Sequence, residues 1–76
     1  MMKPVYTIND ETFQIWPKDD WSRQELLKIV GSSSINFDMI ISDNGKQAFK
    51  FGNRLDFKNI MRLIENRIYN DNSIQN

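Results

Sequence analysis

The segment "FDMIISDNGKQAFKF" constrains the fold more than any other part of the chain, because it places a turn between two alternating apolar stretches. Such a pattern predicts a β-hairpin. The length of its loop decides the register, and a register change of one residue moves every side chain of a strand to the opposite face. The loop length therefore decides which of these side chains enter the core.

Two loop lengths are compatible with this turn. A two-residue loop ending at Gly45 would place Lys50 opposite Met39 and would mix apolar and polar side chains on both faces. A three-residue loop, residues 43–45, with the glycine as a left-handed bulge residue, pairs Lys50 with Asp38 instead. Burial of large side chains outweighs an exposed ion pair, which favours the three-residue loop. We predict that Lys50 faces solvent and that the inward side chains of this hairpin are Phe37, Met39, Phe49 and Phe51.

An earlier stretch, "VYTINDETFQIW", alternates in the same way around a turn-forming Asn-Asp pair. We predict a second hairpin with its loop at residues 9–12. In this register Ile8 lies opposite Phe13 and Tyr6 lies opposite Ile15, so that all four share one face.

The stretch "DDWSRQELLKIVG" carries start and stop signals for a short helix over residues 23–30. A helix of this length is marginal in isolation and needs a sheet to pack against. Its predicted signals are Ser22 as N-cap, Glu25 completing a capping box, Trp21 packing on Leu26 as a hydrophobic staple, and Gly31 as the left-handed residue at the end.

A longer helix is predicted over residues 57–69, with Asp56 as its cap. Residues 70–76 have little apolar surface to bury, and we predict that they form a disordered tail after a single domain of residues 1–69. One face of the helix carries an apolar stripe at helical spacing, formed by Phe57, Ile60, Met61, Ile64 and Ile68.

The predicted elements follow the order ββαββα, and the two halves resemble each other. "SRQELLKIV" aligns with "DFKNIMRLI", and both a degenerate duplication and a chance likeness between amphipathic units would produce this match. Each hairpin has one apolar face and each helix has one apolar stripe. We therefore predict a two-layer α+β fold, a four-stranded, mostly antiparallel sheet with two helices on one face.

Composition excludes most catalytic chemistry. The chain has 76 residues and contains neither histidine nor cysteine, which removes thiol and imidazole catalysis and the usual zinc ligands. The three glycines stand apart, so no phosphate-binding loop is present. Acidic pairs such as Asp19-Asp20 suit a helix start, and the serines at 32–34 suit a loop. We predict a protein that is not an enzyme and that uses no cofactor or metal.

The same composition predicts a cytoplasmic protein. A small secreted scaffold would be expected to carry cysteines, and no apolar run has the length of a signal peptide or of a membrane span. Isoleucine, asparagine and lysine are abundant, as A/T-rich codons make them in low-GC bacteria and their phages.

If both helices cover one face of the sheet, the other face is left open and partly apolar. Such a surface is typical of a contact with another protein or with a second copy. We predict that Trp16 and Ile40 anchor this contact and that Gln14 and Lys50 contribute to it. In the alternative interpretation Trp16 folds against Trp21 and the face has no function. The predicted open face consists of Val5, Thr7, Thr12, Gln14, Trp16, Asn36, Asp38, Ile40, Ala48 and Lys50.

The leading functional hypothesis is a small non-catalytic binding protein, a regulator or inhibitor of the phage or mobile-element type, that acts by protein contact through the open sheet face. The alternative is a weak nucleic-acid-binding module. Residues 46–67 carry six basic and two acidic side chains, although solvated helix faces are also commonly charged. In this alternative the phosphate contacts and a stacking ring come from Arg54, Lys58, Arg62 and Tyr69.

Overall fold

The computed structural model describes residues 3–75, with side chains described as far as Ile68. Its elements confirm the predicted α+β class and the order ββαββα. In chain order they are β1 (Tyr6–Asn9), β2 (Gln14–Pro17), α1 (Asp20–Gly31), β3 (Phe37–Ile41), β4 (Gln47–Phe51) and α2 (Arg54–Gln75).

The four strands form one antiparallel sheet in the order β1-β2-β4-β3. Each ββα unit supplies one half of the sheet, and the two halves meet between β2 and β4. Both helices contribute buried side chains to one core with β2 and β4, so both cover the same face. The opposite face of the sheet has no helix over it within the described residues.

The β3–β4 hairpin has the predicted three-residue loop. Gly45 has a φ of +85°, the left-handed conformation expected of the bulge residue. The Ser42 N–H donates to the Lys46 carbonyl at 2.8 Å and closes the loop. In the resulting register Asp38 pairs with Lys50, as predicted. The same register pairs Phe37 with Phe51 and Met39 with Phe49.

The register predicted for the β1–β2 hairpin is wrong by two residues. Ile8 pairs with Ile15, and the loop comprises residues 10–13. The Asn9 carboxamide oxygen accepts hydrogen bonds from the backbone N–H groups of Glu11 and Thr12, which stabilises this later turn. A shift of two residues leaves each strand side chain on its predicted face, so the consequence for packing is small.

Phe13 is the residue that this shift moves from the strand into the loop. It takes a left-handed φ of 61°, and its ring lies 6.1 Å from the ring of Phe57 at the start of α2. Its carbonyl accepts a hydrogen bond from the Phe51 N–H at 2.9 Å. Packing and pairing with the second half of the chain thus fix a conformation that a bulky residue rarely adopts.

Helix α1 begins three residues before its predicted start. Its N-cap is Asp19, which has extended backbone angles and accepts a hydrogen bond from the Ser22 N–H at 2.7 Å. Aspartate is among the best N-caps, so the earlier start is favourable. The predicted capping box of Ser22 with Glu25 is therefore wrong, and Trp21, inside the helix, is not a staple residue.

The ends predicted for the helices also need correction. Gly31 is the last residue of α1 and has no positive φ; the left-handed residue after this helix is Ser34, with a φ of 68°. Helix α2 likewise starts early, because the Asn53 side chain accepts a hydrogen bond from the Asp56 N–H at 2.8 Å. Asn53 thus takes the capping place that was predicted for Asp56.

Helix α2 continues to Gln75, beyond its predicted end at residue 69. The side chains of residues 69–76 lie outside the described residues. The domain boundary at residue 69 and the tail at 70–76 stay predictions.

The core lies between the two helices and the central strands β2 and β4. Aromatic rings of the second half meet edge to face or at a tilt, as between Phe37 and Phe49 with ring centres 5.9 Å apart. The apolar stripe of α2 packs inward as predicted. Buried members of the core are Ile15, Leu26, Ile29, Val30, Phe49, Phe51, Phe57, Ile60 and Ile64.

Met39, which was predicted to face the core, is exposed instead, and so is Ile41 on the same side of β3. Met39 is 41% exposed and Ile41 is 68% exposed, although both lie on the helix side of the sheet. They belong to β3, which is an edge strand, while the buried strand side chains belong mainly to the two central strands. Ile8, on the other edge strand, is 47% exposed.

Candidate functional site on the open face of the sheet

The helix-free side of the sheet, called here the open face, carries a row of mainly apolar side chains that crosses all four strands. Thr7 pairs with Trp16, and Ile40 pairs with Ala48. Strands β2 and β4 pair Gln14 with Lys50 and Ile15 with Phe49. The next position in this register places Trp16 beside Ala48. The row therefore runs Thr7, Trp16, Ala48, Ile40, and we call it the apolar row.

The middle of the apolar row is closed to solvent. Ala48 is 0% exposed although both helices lie on the other side of the sheet. Its cross-strand neighbours Trp16 and Ile40 must therefore cover it, and both are themselves half-buried. Trp16, Ile40 and Ala48 were all predicted to be exposed on this face. Instead they pack against each other and form a packed ridge in the middle of the apolar row, with only part of the Trp16 and Ile40 side chains exposed.

Trp16 has a fixed orientation. Its indole Nε1–H donates to the Gln14 Oε1 at 2.9 Å, which satisfies the polar atom of the ring and holds the side chain along the sheet. Among the described side chains, the close aromatic pairs are formed by phenylalanines, so the alternative in which Trp16 folds against Trp21 is not what the structure shows. The predicted residues Trp16 and Gln14 therefore act as one unit.

Lys50 lies half-buried on the open face. It is on the side of the apolar row that is farther from the β3–β4 loop. Its Nζ donates to the Thr12 carbonyl at 3.2 Å. Lys50 lies opposite Asp38 in the register but forms no ion pair with it. The ion pairs among the described residues both lie within α1 and join Arg23 to Asp20 and Lys28 to Glu25. Lys50 thus links the tip of the first hairpin to the open face.

Two further lysines flank the apolar row on its other side. Lys18 continues the β1–β2 ladder, since its N–H donates to the Val5 carbonyl at 3.0 Å. Lys18 and Lys46 line a cleft of about 390 Å³ together with Thr7, Trp16 and Pro17. The cleft lies just beyond the last described β2–β4 pair. The same two lysines also line a neighbouring cleft that includes Asp19 and Asp20. We call Lys18, Lys46 and Lys50 the lysine flank; Asp38 is the one acidic residue among the strand positions of this face.

Lys18 and Lys46 were not predicted as residues of this face. The alternation of side chains along a strand could have found them, because residue 18 has the parity of Trp16 and residue 46 has the parity of Ala48. Three residues predicted on this face lie outside the strands: Val5 precedes β1, Thr12 is in the first hairpin loop, and Asn36 precedes β3. What could not be found locally is the pairing of β2 with β4, which brings the two lysines to one cleft.

Two described side chains, Asp19 and Tyr6, have pKa values that depart from the ordinary ones, and the structure shows the cause of each. The hydrogen bond from the Ser22 N–H lowers the pKa of Asp19, which is the α1 cap. Burial raises the pKa of Tyr6, and the nearby Glu65 carboxylate adds to that effect. Within the described residues, no three acidic side chains lie together in a way that could hold a metal ion.

The residues predicted for nucleic-acid binding lie on α2, away from the open face. Arg54 places its guanidinium 5.5 Å from the centre of the Phe13 ring, a cation–π contact that holds it at the domain surface. Lys58 and Arg62 follow at intervals of one helical turn and are exposed. The Tyr69 side chain lies outside the described residues, so the full predicted set is not brought together by what the structure shows.

No known protein family, curated protein or solved structure matches the chain. Neither helix, over the part of the chain described here, combines the length and apolarity required to cross a bilayer.

Proposed function

We propose that this protein is a non-catalytic binding protein whose open face docks on an acidic surface of another protein. The observation that carries the proposal is the apolar row bordered by the lysine flank, on a sheet face that both helices leave free. Lys50 and Asp38 balance each other on the strand positions of this face. Lys18, one residue after β2, and Lys46, one residue before β4, add positive charge at one end of the apolar row.

The packed ridge suits a docking role. Trp16 is held by Gln14 and by its neighbours before any partner arrives, so little side-chain freedom is lost on binding. Tryptophan and other aromatic residues are enriched among the residues that dominate binding energy. The apolar row would supply the buried centre of the contact, and the lysine flank would supply its charged rim.

The lysine flank determines the chemistry of the partner. Lysine side chains at the rim of an interface mainly accelerate encounter with an oppositely charged surface and exclude like-charged ones. An acidic protein surface is therefore the matching partner. A protein with neither histidine nor cysteine that binds in this way acts by occupying its partner's surface, which is how we propose that it works as a regulator or inhibitor.

Matched charge reversals test the proposal. The open-face variant carries Lys18→Glu and Lys46→Glu, and the control carries Lys58→Glu and Arg62→Glu on α2, so that both change the net charge equally. Each variant and the wild type are used to capture partners from the native host, and the affinity for the recovered partner is then measured by calorimetry. We expect the open-face variant to lose about tenfold or more in affinity and the α2 control to stay close to wild type.

Trp16→Ala provides the apolar arm of the same experiment, with folding checked by circular dichroism. We expect it to weaken the same partner. If both the open-face variant and Trp16→Ala bind like wild type, the proposal is refuted. If only the α2 variant loses binding, and the captured material is nucleic acid, the site of Arg54, Lys58 and Arg62 replaces it.

A further inference from the structure

Strand β3 is an edge strand, and no other strand of residues 3–75 pairs with its outer side. The Ser42 N–H bonds the Lys46 carbonyl, so hydrogen-bonded pairs alternate from there along the β3–β4 ladder. Residues 40 and 38 point their backbone groups toward β4. The N–H and C=O groups of Phe37, Met39 and Ile41 point the other way, toward the free edge of the sheet.

This edge lacks the usual protection against pairing with another strand. Edge strands are commonly shielded by lysine, proline, a bulge or a charged residue that points inward. On the helix side β3 instead presents Met39, 41% exposed, and Ile41, 68% exposed. Its one charged residue, Asp38, lies on the open face. The strand combines free backbone groups with exposed apolar side chains on the same segment.

We infer that β3 pairs with β3 of a second copy of this chain, antiparallel and around a two-fold axis. In such a pair the outward-pointing residues of one strand must lie opposite outward-pointing residues of the other. This leaves three registers, in which the two-fold axis passes through residue 38, 39 or 40. One places Asp38 opposite its own counterpart and is disfavoured by charge repulsion. The second centres on Met39 and places Ile40 opposite the counterpart of Asp38. The third places Ile40 opposite its own counterpart and Met39 opposite Ile41.

The third register fits the side chains on both faces. On the helix side, Met39 of each copy packs against Ile41 of the other, so both exposed apolar residues become covered. On the open face it joins Ile40 to its counterpart and places Asp38 beside Ser42 of the second copy, so no like charges meet. A second copy is thus the partner to which this edge is complementary, because the same short segment satisfies both sides of the contact.

The dimer would form an eight-stranded sheet in which two apolar rows become one. The strand positions of one open face cover roughly 300 Å², at about 4.8 Å between strands and about 3.3 Å per residue. A standard interface buries roughly 800 Å² on each partner. Two open faces joined in the dimer would offer roughly 600 Å², which is closer to the area of a standard interface. The inference itself stands on the β3 edge and does not depend on the proposed function.

Single engineered cysteines test the register, because the chain has no cysteine of its own. Ile40→Cys would lie opposite its counterpart with Cα atoms about 4.5 Å apart, within the range that a disulfide spans. Met39→Cys would meet its counterpart only in the second register. Leu55→Cys, on an α2 residue that is 69% exposed, reports random collision. Under mild oxidation we expect Ile40→Cys to form dimer at least about tenfold faster than the other two.

A second measurement tests the edge without cysteine. Ile41→Lys places a charge on the edge, and Leu55→Lys is its matched control, since the two residues are 68% and 69% exposed. Sedimentation is measured from micromolar to millimolar concentration. We expect the wild type and Leu55→Lys to self-associate with the same concentration dependence and Ile41→Lys to remain monomeric.

The inference is overturned if the wild type is monomeric over the whole range and Ile40→Cys cross-links no faster than Leu55→Cys. Faster cross-linking by Met39→Cys would overturn the third register. Because Ile41→Lys leaves the lysine flank and Trp16 intact, loss of self-association with partner binding retained separates this inference from the proposed function.

Discussion

Replacing Gly45 with alanine isolates the energetic value of the left-handed bulge that sets the β3–β4 register. An alanine Cβ at Gly45 would meet no atom within 4 Å, and the same holds at Gly31. The two sites differ in backbone conformation, since Gly45 has a φ of +85° and Gly31 closes α1 with no positive φ. Any difference between the two alanine variants therefore measures conformation and not crowding.

The expected magnitudes have opposite signs. A residue with a Cβ in the left-handed region costs about 1–2 kcal/mol, and the lower entropy of the unfolded chain returns about 0.4–1 kcal/mol, so Gly45→Ala should lose about 1 kcal/mol. Gly31→Ala exchanges glycine for alanine in a helix and should gain up to about 0.5–1 kcal/mol. For a domain of this size the two melting temperatures should differ by roughly 10 °C.

Thermal unfolding followed by circular dichroism measures both variants, and Gly45→Asn serves as a third. Asparagine tolerates the left-handed region better than alanine, so this variant should recover most of the loss. Melting temperatures within about 2 °C of each other for the two alanine variants would show that the bulge conformation does not hold the hairpin in register.

Two further predictions concern the start of α1. Ser22→Ala should lower the free energy of unfolding by about 1 kcal/mol, because the buried Ser22 Oγ accepts a hydrogen bond from the Val5 N–H at 2.9 Å and that donor would lose its partner. A urea titration measures the change, and an unchanged midpoint would contradict the prediction. Acid unfolding should depend on Asp19, whose folded pKa lies below its ordinary value. Its stabilising contribution is complete above the unfolded pKa, about 4, and is lost as the pH falls through the folded pKa. Asp19→Asn, which can still cap, should flatten that acid limb relative to wild type, and identical acid limbs would refute the assignment.

The sequence alone was sufficient for the features that depend on near neighbours. Alternation with period two gives the faces of the strands, and helical spacing gives the apolar stripe of α2. The register of the β3–β4 hairpin follows from Gly45 together with the burial of Phe49 and Phe51. In each case the residues that decide the structure lie within one element or one turn of each other, so a local pattern carries the full information.

The open face was predictable only in part. The anchors Trp16 and Ile40 and the polar Gln14 and Lys50 follow from strand parity, and the structure places all four on one face. Their role in binding stays a prediction. The burial of Ala48 between neighbours from two other strands needed the strand order, and so did the meeting of the lysines that flank the row.

The tertiary structure decided whatever depends on contacts between distant parts of the chain. Ser22, a good N-cap by sequence, instead accepts a hydrogen bond from Val5, 17 residues earlier, and Asp19 caps the helix. Phe13 leaves its predicted strand to pack on Phe57. Met39 has the same alternation as a core residue, yet it is exposed because the strand order puts β3 at the edge. Periodicity states which side of an element is apolar, whereas the assembly of all six elements determines whether anything covers that side.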